Sequence, residues 1–181
     1  HIISCFTKDS LTTKKFIMQI RLYWKKKFFS NIYNIFSNEQ QVGKLRDKAF
    51  SVTSNGDLFG KEFTFKTKGI FKQHTEIIDN SENKVIGNIS YNSWMTKATI
   101  SINQKNTYWK YDNVWNTKWR IFNTEGIEIK YEGSYSHGQI ETNTDDPLLI
   151  LTGLYVTNYY WQITTAVMVA VFTPILSSAV R

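Results

Sequence analysis

DDPLLILTGLYVTNYYWQ, residues 145–162, is the stretch that decides the fold of this chain. After Asp146 no charged residue follows until Arg181, although charged residues make up 20% of the sequence. Asp145 and Asp146 before Pro147 are typical of a helix start, because a carboxylate caps free backbone amides and proline suits the first turn. The helix that follows needs either a membrane or the interior of its own protein to keep it from water.

The length of this helix favours burial in the protein. LLIL, residues 148–151, covers every face of a helix with apolar side chains. Leu148 to Gln162 would span about 22 Å at 1.5 Å per residue, which is shorter than a hydrocarbon layer of about 30 Å. We therefore predict a central helix at about residues 147–162. Its expected core residues are Leu148, Leu149, Ile150, Leu151, Leu154 and Tyr155.

The preceding part of the chain predicts a series of β-hairpins. YNIFSNEQQVGKL (33–45), TEIIDNSENKVIGNI (75–89) and WRIFNTEGIEIKYEG (119–133) each contain an apolar strand end, a polar turn and a second strand that opens on Val or Ile. This pattern is typical of hairpins. TSNGDLFG (53–60) predicts a further hairpin, with Asn55-Gly56 as its tight turn.

The strands between these turns alternate between apolar and polar residues. In KATISI, residues 97–102, Ala98, Ile100 and Ile102 fall on one face of a strand. About a dozen short strands at regular spacing indicate a sandwich or a barrel, and closure removes unpaired strand edges. We therefore predict a mainly β protein: a closed antiparallel barrel of about twelve strands wrapped around the helix, plus a second apolar C-terminal segment.

The hairpin series, the strand starts VGKLRDKAFSV and VIGNI, and DDPLLILTGLY near the end together resemble the Tubby C-terminal-like fold of tubby domains, phospholipid scramblases and LURP-one-related proteins. The resemblance covers about residues 17–162 and implies a closed barrel around a hydrophobic helix. Residues 1–16 are then an N-terminal extension outside the fold, and residues 163–181 an apolar C-terminal segment. These N-terminal residues lack the features of a signal peptide. Because the sequence begins with His1, Met18 is a candidate start.

The C-terminal segment departs from the family pattern, which ends near the buried helix. Residues 163–180 number 18, the lower limit for crossing a bilayer, and Tyr159, Tyr160 and Trp161 precede them as an aromatic belt would. Several Thr and Ser residues and one Pro lower the hydrophobicity. Three interpretations stay open, namely a membrane anchor, a second helix packed on the barrel mouth and a dimer contact.

The positive charge of the chain lies in its first part. Residues 1–75 carry a net charge of +9 and residues 76–181 one of −2, within an overall +7. Such an excess favours anionic partners, either phospholipid headgroups or nucleic acid. The resemblance to tubby domains, which bind phosphoinositides through basic strand residues, implies a lipid-phosphate site. Alternatively, the lysines only keep outward strand faces soluble and discourage edge pairing. The candidate residues are Lys25, Lys26, Lys27, Lys44, Arg46, Lys48, Lys66, Lys68 and Lys72.

Other site chemistries find little support in the sequence. His74 and His137 lie 63 residues apart, and no Cys or carboxylate lies at ligand spacing from them, so we expect no metal and no cofactor. There is no nucleophile elbow, and Gly56 and Gly60 are better explained by a hairpin than by a phosphate-binding loop. We therefore expect that the protein is not an enzyme.

The tryptophans are expected in the core or at the barrel rim. Tyr108, Trp109 and Tyr111, interleaved with Lys110, have a pattern that stacks bases in single-strand binders, but residues 76–181 are slightly acidic and would repel phosphate. Nucleic acid is therefore disfavoured as a partner. The residues assigned to the core or rim are Trp94, Trp109, Trp115, Trp119 and Trp161.

The combined expectation is a non-enzymatic, Tubby-like cytoplasmic domain that acts at or near a membrane. It would bind anionic phospholipid or be anchored through residues 163–181. The alternative is a soluble protein-interaction module, whose partner the sequence does not name. The scramblase resemblance adds a third interpretation, a role in phospholipid translocation.

Overall fold

The computed structural model describes residues 19–47, 51–69 and 73–179, with side chains up to residue 173. Its strands form a closed antiparallel barrel in which each strand pairs with its neighbours in the chain and β1 pairs with β12. The predicted barrel of about twelve strands around a C-terminal helix is confirmed. The elements are β1 (Ile20–Lys26), β2 (Ile32–Ser37), β3 (Gln40–Arg46), β4 (Thr53–Leu58), β5 (Lys61–Lys68), β6 (His74–Asp79), β7 (Lys84–Tyr91), β8 (Lys97–Ile102), β9 (Lys105–Tyr111), β10 (Lys118–Phe122), β11 (Glu128–Gly133), β12 (His137–Thr142) and α1 (Pro147–Ala179).

Successive connections lie at opposite ends of the barrel, as the up-and-down topology requires. The helix enters at one end, which we call the polar end, and leaves at the other, which we call the mouth. The polar end carries the connections at residues 38–39, 59–60, 80–83, 103–104, 123–127 and 143–146. The mouth carries those at 27–31, 92–96, 112–117 and 134–136, and the described parts of 47–52 and 69–73.

The three long hairpins are found where the sequence predicts them, as β2–β3, β6–β7 and β10–β11. The prediction of a turn at Asn55-Gly56 is wrong, because both residues lie inside β4 and the turn falls at Phe59-Gly60, with φ of 51° and 77°. A Cβ on Gly56 would lie 3.2 Å from Cδ1 of Leu151. This glycine therefore lets the barrel wall approach the helix.

The first half of α1 fills the barrel. Oδ1 of Asp146 accepts hydrogen bonds from the backbone amides of Leu148 (2.9 Å) and Leu149 (3.2 Å), so the predicted helix cap is present. All six residues expected in the helix core are buried, and the most exposed of them, Leu148, is only 6% exposed. Alternate residues of the strands face this helix; in β8, Ala98 and Ile100 are buried.

Aromatic side chains of the wall fix the helix by hydrogen bonds to its backbone. The indole Nε1 atoms of Trp109 and Trp119 donate to the carbonyl of Gly153 at 3.3 and 3.2 Å. The hydroxyl of Tyr131 donates to the carbonyl of Ile150 at 3.0 Å. These bonds fix how deeply the helix sits in the barrel and how it is rotated about its axis.

The helix does not end at Gln162, where the sequence led us to divide it from a second segment. It continues as one element to Ala179, which corrects the interpretation of residues 163–180 as a second helix packed on the mouth. The strands end near Gln162, but no Gly or Pro stops the helix there. No helix in the described part of the chain has both the length and the hydropathy needed to cross a membrane.

Candidate functional site

The helix leaves the barrel as an exposed apolar rod. We call its residues 163–173 the extension. Val169 is 61% exposed, and Val171, which lies on nearly the opposite face of the helix, is 53% exposed. The extension therefore projects from the barrel, and its large apolar side chains from Val167 to Phe172 are exposed, whereas Ile163 is half-buried.

Exposed aromatic side chains surround the point where the extension leaves. Phe28 and Phe29 form the tip of the β1–β2 loop, and Phe29 is 96% exposed. Trp94, Trp115 and Tyr135 occupy the next three mouth loops around the barrel. Together with Val52 and Val114, these side chains give the mouth an apolar rim.

The polar end has the opposite character. The connections there contain no Lys or Arg. Phe59, 42% exposed, is the exposed large apolar residue in the described polar-end connections. The acidic residues in these connections are Glu39, Glu82, Glu125, Asp145 and Asp146.

Two of the mouth loops are copies of one motif, N-x-W-x-T-K, at residues 92–97 and 113–118. In the first, Oδ1 of Asn92 accepts hydrogen bonds from the amides of Thr96 and Lys97, both at 2.9 Å. In the second, Oδ1 of Asn113 accepts the equivalent bonds, at 3.0 and 3.1 Å. Each loop places its Trp at the tip, where Trp94 is 85% and Trp115 81% exposed.

A polar network closes the mouth beneath this rim. Asp47 accepts hydrogen bonds from Ser54 and from Asn158 of the helix, and from Gln162 at 3.0 Å. Tyr33 donates to Oδ1 of Asn158 at 2.6 Å. Burial raises the pKa of the Asp47 carboxyl, and its hydrogen bonds and nearby Lys26 oppose that rise. The network links the helix to β2, β4 and the end of β3.

Lys26 belongs to this network, which corrects its assignment to a lipid-phosphate surface. It is 6% exposed, and its ammonium lies 3.6 Å from the ring centroid of Tyr135 and 4.4 Å from that of Tyr33. The two rings and the nearby Asp47 carboxylate stabilise the buried charge. An ammonium in this position faces the barrel interior and not the surroundings.

The other predicted basic residues in the described part of the chain face outward. Lys25 and Lys44 flank Asn34 on neighbouring strands, and Lys44 pairs with Asp57 at 3.4 Å. Lys68 pairs with Glu76 at 2.6 Å. Arg46 and Lys66 are exposed near the mouth ends of β3 and β5, and Lys27 lies in a mouth loop. Lys48 and Lys72 lie outside the described residues.

The remaining sequence candidates do not come together. His74 and His137 lie on β6 and β12, and the described residues contain no group of three or more His, Cys, Asp or Glu side chains that could hold a metal ion. Trp109 is buried whereas Tyr108 is exposed on the opposite face of β9, so the two do not form one stacking platform. Trp109 and Trp119 are in the core as predicted, and Trp161 is half-buried next to Tyr135.

Trp94 and Trp115 lie at the rim, within the core-or-rim assignment made from the sequence, but the sequence did not show that the exposed aromatic residues form one surface. Two signals for it were present, the repeated N-x-W-x-T-K motif and the position of the aromatic residues in every second connection of the meander.

The fold and the site define a class: a closed antiparallel barrel with a central helix that continues beyond an aromatic mouth. Comparison with known protein families, with characterised proteins and with solved structures found no match to this chain. The relationship to Tubby-like proteins stays a prediction from the sequence.

Proposed function

We propose that this chain is a non-enzymatic, Tubby-like barrel that works at a membrane surface, held there by the extension of α1 and by contacts with anionic phospholipid. The observation that carries the proposal is the exposure of apolar side chains on several faces of the extension, Val169 and Val171 among them. Removing such side chains from water is favourable, and a contiguous exposed apolar surface is typical of interaction sites.

The proposal requires insertion from one side and no complete crossing. The helical residues from 163 to 179 would span about 25 Å at 1.5 Å per residue, less than a hydrocarbon layer of about 30 Å. A helix of this length reaches into one leaflet and beyond while the barrel stays outside.

The position of the basic residues supports anionic lipid as part of the partner. Lys27 lies in a mouth loop, and Lys25 and Arg46 lie near the mouth ends of their strands. A basic side chain near an anionic bilayer contributes about 1 kcal/mol. Five acidic residues lie in the polar-end connections, away from this surface, and Asp112 of the mouth is paired with Arg120 at 2.9 Å.

Flotation of the full chain with vesicles of phosphatidylcholine and phosphatidylserine tests the proposal. The variant with Val169→Asp and Val171→Asp should lose flotation, because a carboxylate at the centre of an inserted helix costs about 3 kcal/mol on insertion scales. Thr164→Asp is the matched control. Its exposed side chain lies next to the barrel, so we expect nearly unchanged flotation. A full chain that stays in the soluble fraction contradicts the proposal.

A second comparison separates anchoring from headgroup recognition. The double variant Lys25→Gln with Lys27→Gln should weaken flotation with anionic vesicles. Some flotation should remain with vesicles of pure phosphatidylcholine. Loss of flotation on both vesicle types only in the Val169 and Val171 variant favours anchoring as the main contribution.

The alternatives differ in the same experiments. A soluble protein-interaction module would not float, and its extension would be covered by a protein partner. A direct role as a pore for phospholipid translocation is disfavoured by the filling of the barrel, in which Ile150, Leu151 and Val156 are fully buried.

A further inference from the structure

We infer that the mouth of the barrel is itself a membrane-contacting surface, in which the tips of the mouth loops insert aromatic side chains into the headgroup region of the bilayer. This inference rests on the proposed function and adds the orientation of the barrel, with its mouth toward the lipid and its polar end away. The residues concerned are Phe28, Phe29, Trp94, Trp115 and Tyr135.

The first argument is the way in which the Trp side chains are displayed. Asn92 and Asn113 each hold their loop by two side-chain to backbone hydrogen bonds and by a third bond to a Thr hydroxyl, at 3.0 and 2.7 Å. Met95 and Asn116, one residue after each Trp, have φ of 53° and 56°. A loop geometry that occurs twice, with left-handed backbone at the same position, presents the Trp in the same way in both copies.

The second argument is the chemistry of the displayed residues. Exposing two Trp and two Phe side chains to water forfeits the gain from burying them, about 1.5–3 kcal/mol for a side chain of this kind. Trp and Tyr prefer the interface between water and hydrocarbon, where the ring is buried and its polar group stays hydrated. The mouth presents both types within one rim.

The third argument is continuity with the extension. α1 leaves the barrel inside the ring of loops, so its apolar residues and the loop tips face the same side of the molecule. A bilayer entered by the extension therefore meets these loops next. Lys97 directly follows the first Trp loop and lies where anionic headgroups would be, whereas Lys118 after the second loop pairs with Glu132 at 3.0 Å.

The test uses the intrinsic fluorescence of the full chain on vesicles that contain phosphatidylserine and phosphatidylcholine with brominated acyl chains. Trp24, Trp109 and Trp119 are buried in the barrel, and Trp161 is half-buried against Trp119 and Tyr135. Trp94 and Trp115, which are exposed, should therefore account for most of the quenching. Trp94→Phe with Trp115→Phe should remove most of the quenching while the chain still floats. Trp94→Ser with Trp115→Ser should lower vesicle partitioning about tenfold for each Trp.

Phe59→Ser is the matched control, because Phe59 is an exposed aromatic residue of a tight connection at the polar end. We expect unchanged partitioning for this variant. Far-ultraviolet circular dichroism and the unfolding midpoint verify that the Ser variants fold, as their exposed positions require.

The possible failures are distinguishable. If the full chain floats but brominated lipid does not quench Trp94 and Trp115, the mouth does not face the bilayer, and this inference is overturned while the proposed function stands. If the chain does not float, both are overturned. If sedimentation shows self-association that the Ser variant abolishes without any effect on flotation, the mouth binds a second copy of the chain and the inference is wrong.

Discussion

Gly153→Ala is the substitution that tests most directly whether the helix is enclosed by the barrel. Gly153 is a helical residue whose missing side chain faces Tyr131. A Cβ there would lie 2.6 Å from Cε2 of Tyr131 and closer still to its Cζ and hydroxyl oxygen. The ring cannot move aside easily, because it is buried and stacked on Trp119 with 5.5 Å between ring centroids.

The expected loss of stability is about 3 kcal/mol. Overpacking a core costs about 1–3 kcal/mol, and the rigid ring places this site at the upper end. Displacing the Tyr131 hydroxyl from the carbonyl of Ile150 costs about 1 kcal/mol more. Alanine is the better helix former by about 1 kcal/mol, which offsets the lost hydrogen bond.

Denaturant unfolding followed by Trp fluorescence measures this change, since Trp109 and Trp119 both contact Gly153. Thr164→Ala, at an exposed position of the same helix, should change stability by less than about 0.5 kcal/mol. Gly153→Ala should also cost less when Tyr131 is replaced by Leu, because the two sites are in contact. A loss below about 1 kcal/mol for Gly153→Ala would refute the enclosed helix.

Two further predictions concern the barrel interior. Leu151→Ala should destabilise the fold by about 2–5 kcal/mol, because Leu151 is fully buried against Gly56. The control Met168→Ala, in the extension, should change the unfolding free energy by less than about 0.5 kcal/mol. Equal unfolding midpoints for the two variants would contradict the burial of Leu151. Burial raises the pKa of Asp47, so the folded state binds the carboxyl proton more tightly than the unfolded state does. The stability that this proton contributes is complete below the unfolded pKa of about 4. It falls as pH rises through the folded pKa, by up to about 1.4 kcal/mol per pH unit. The unfolding free energy of the native chain should therefore fall with rising pH relative to Asp47→Asn, and parallel curves between about pH 4 and pH 8 would speak against the buried carboxyl.

The barrel could be predicted because its determinants are local. Alternation in segments such as 97–102 and polar turns between them depend on a few neighbouring residues each, and the uncharged run after Asp146 supplies the helix. The turn at Asn55-Gly56 failed because packing overrode turn propensity. A glycine was needed where the wall meets Leu151, and that contact joins residues far apart in the chain.

The site was harder to predict because it depends on which loops share an end. The sequence places Lys25, Lys26 and Lys27 together among the lipid-phosphate candidates, although strand alternation from Leu22 and Trp24 puts Lys26 on the inner face. Neighbours in sequence therefore lie on opposite faces of the strand. The sequence assigned Trp94 and Trp115 to the core or rim but did not show the rim as one surface, because its residues are distant in sequence and lie in alternate connections of the meander.

The continuity of α1 joins the two halves of the molecule mechanically. Inside the barrel, the bonds from Trp109, Trp119 and Tyr131 fix the depth and rotation of the helix, and at the mouth Asp47 binds the helix side chains Asn158 and Gln162. The helix then continues through residue 163 without a break. Because no flexible linker separates the buried half from the exposed half, any surface that binds the extension also sets the tilt of the barrel. The proposed membrane binding by the helix and the proposed contact by the mouth loops would therefore be coupled, and the polar end would face away from the bilayer.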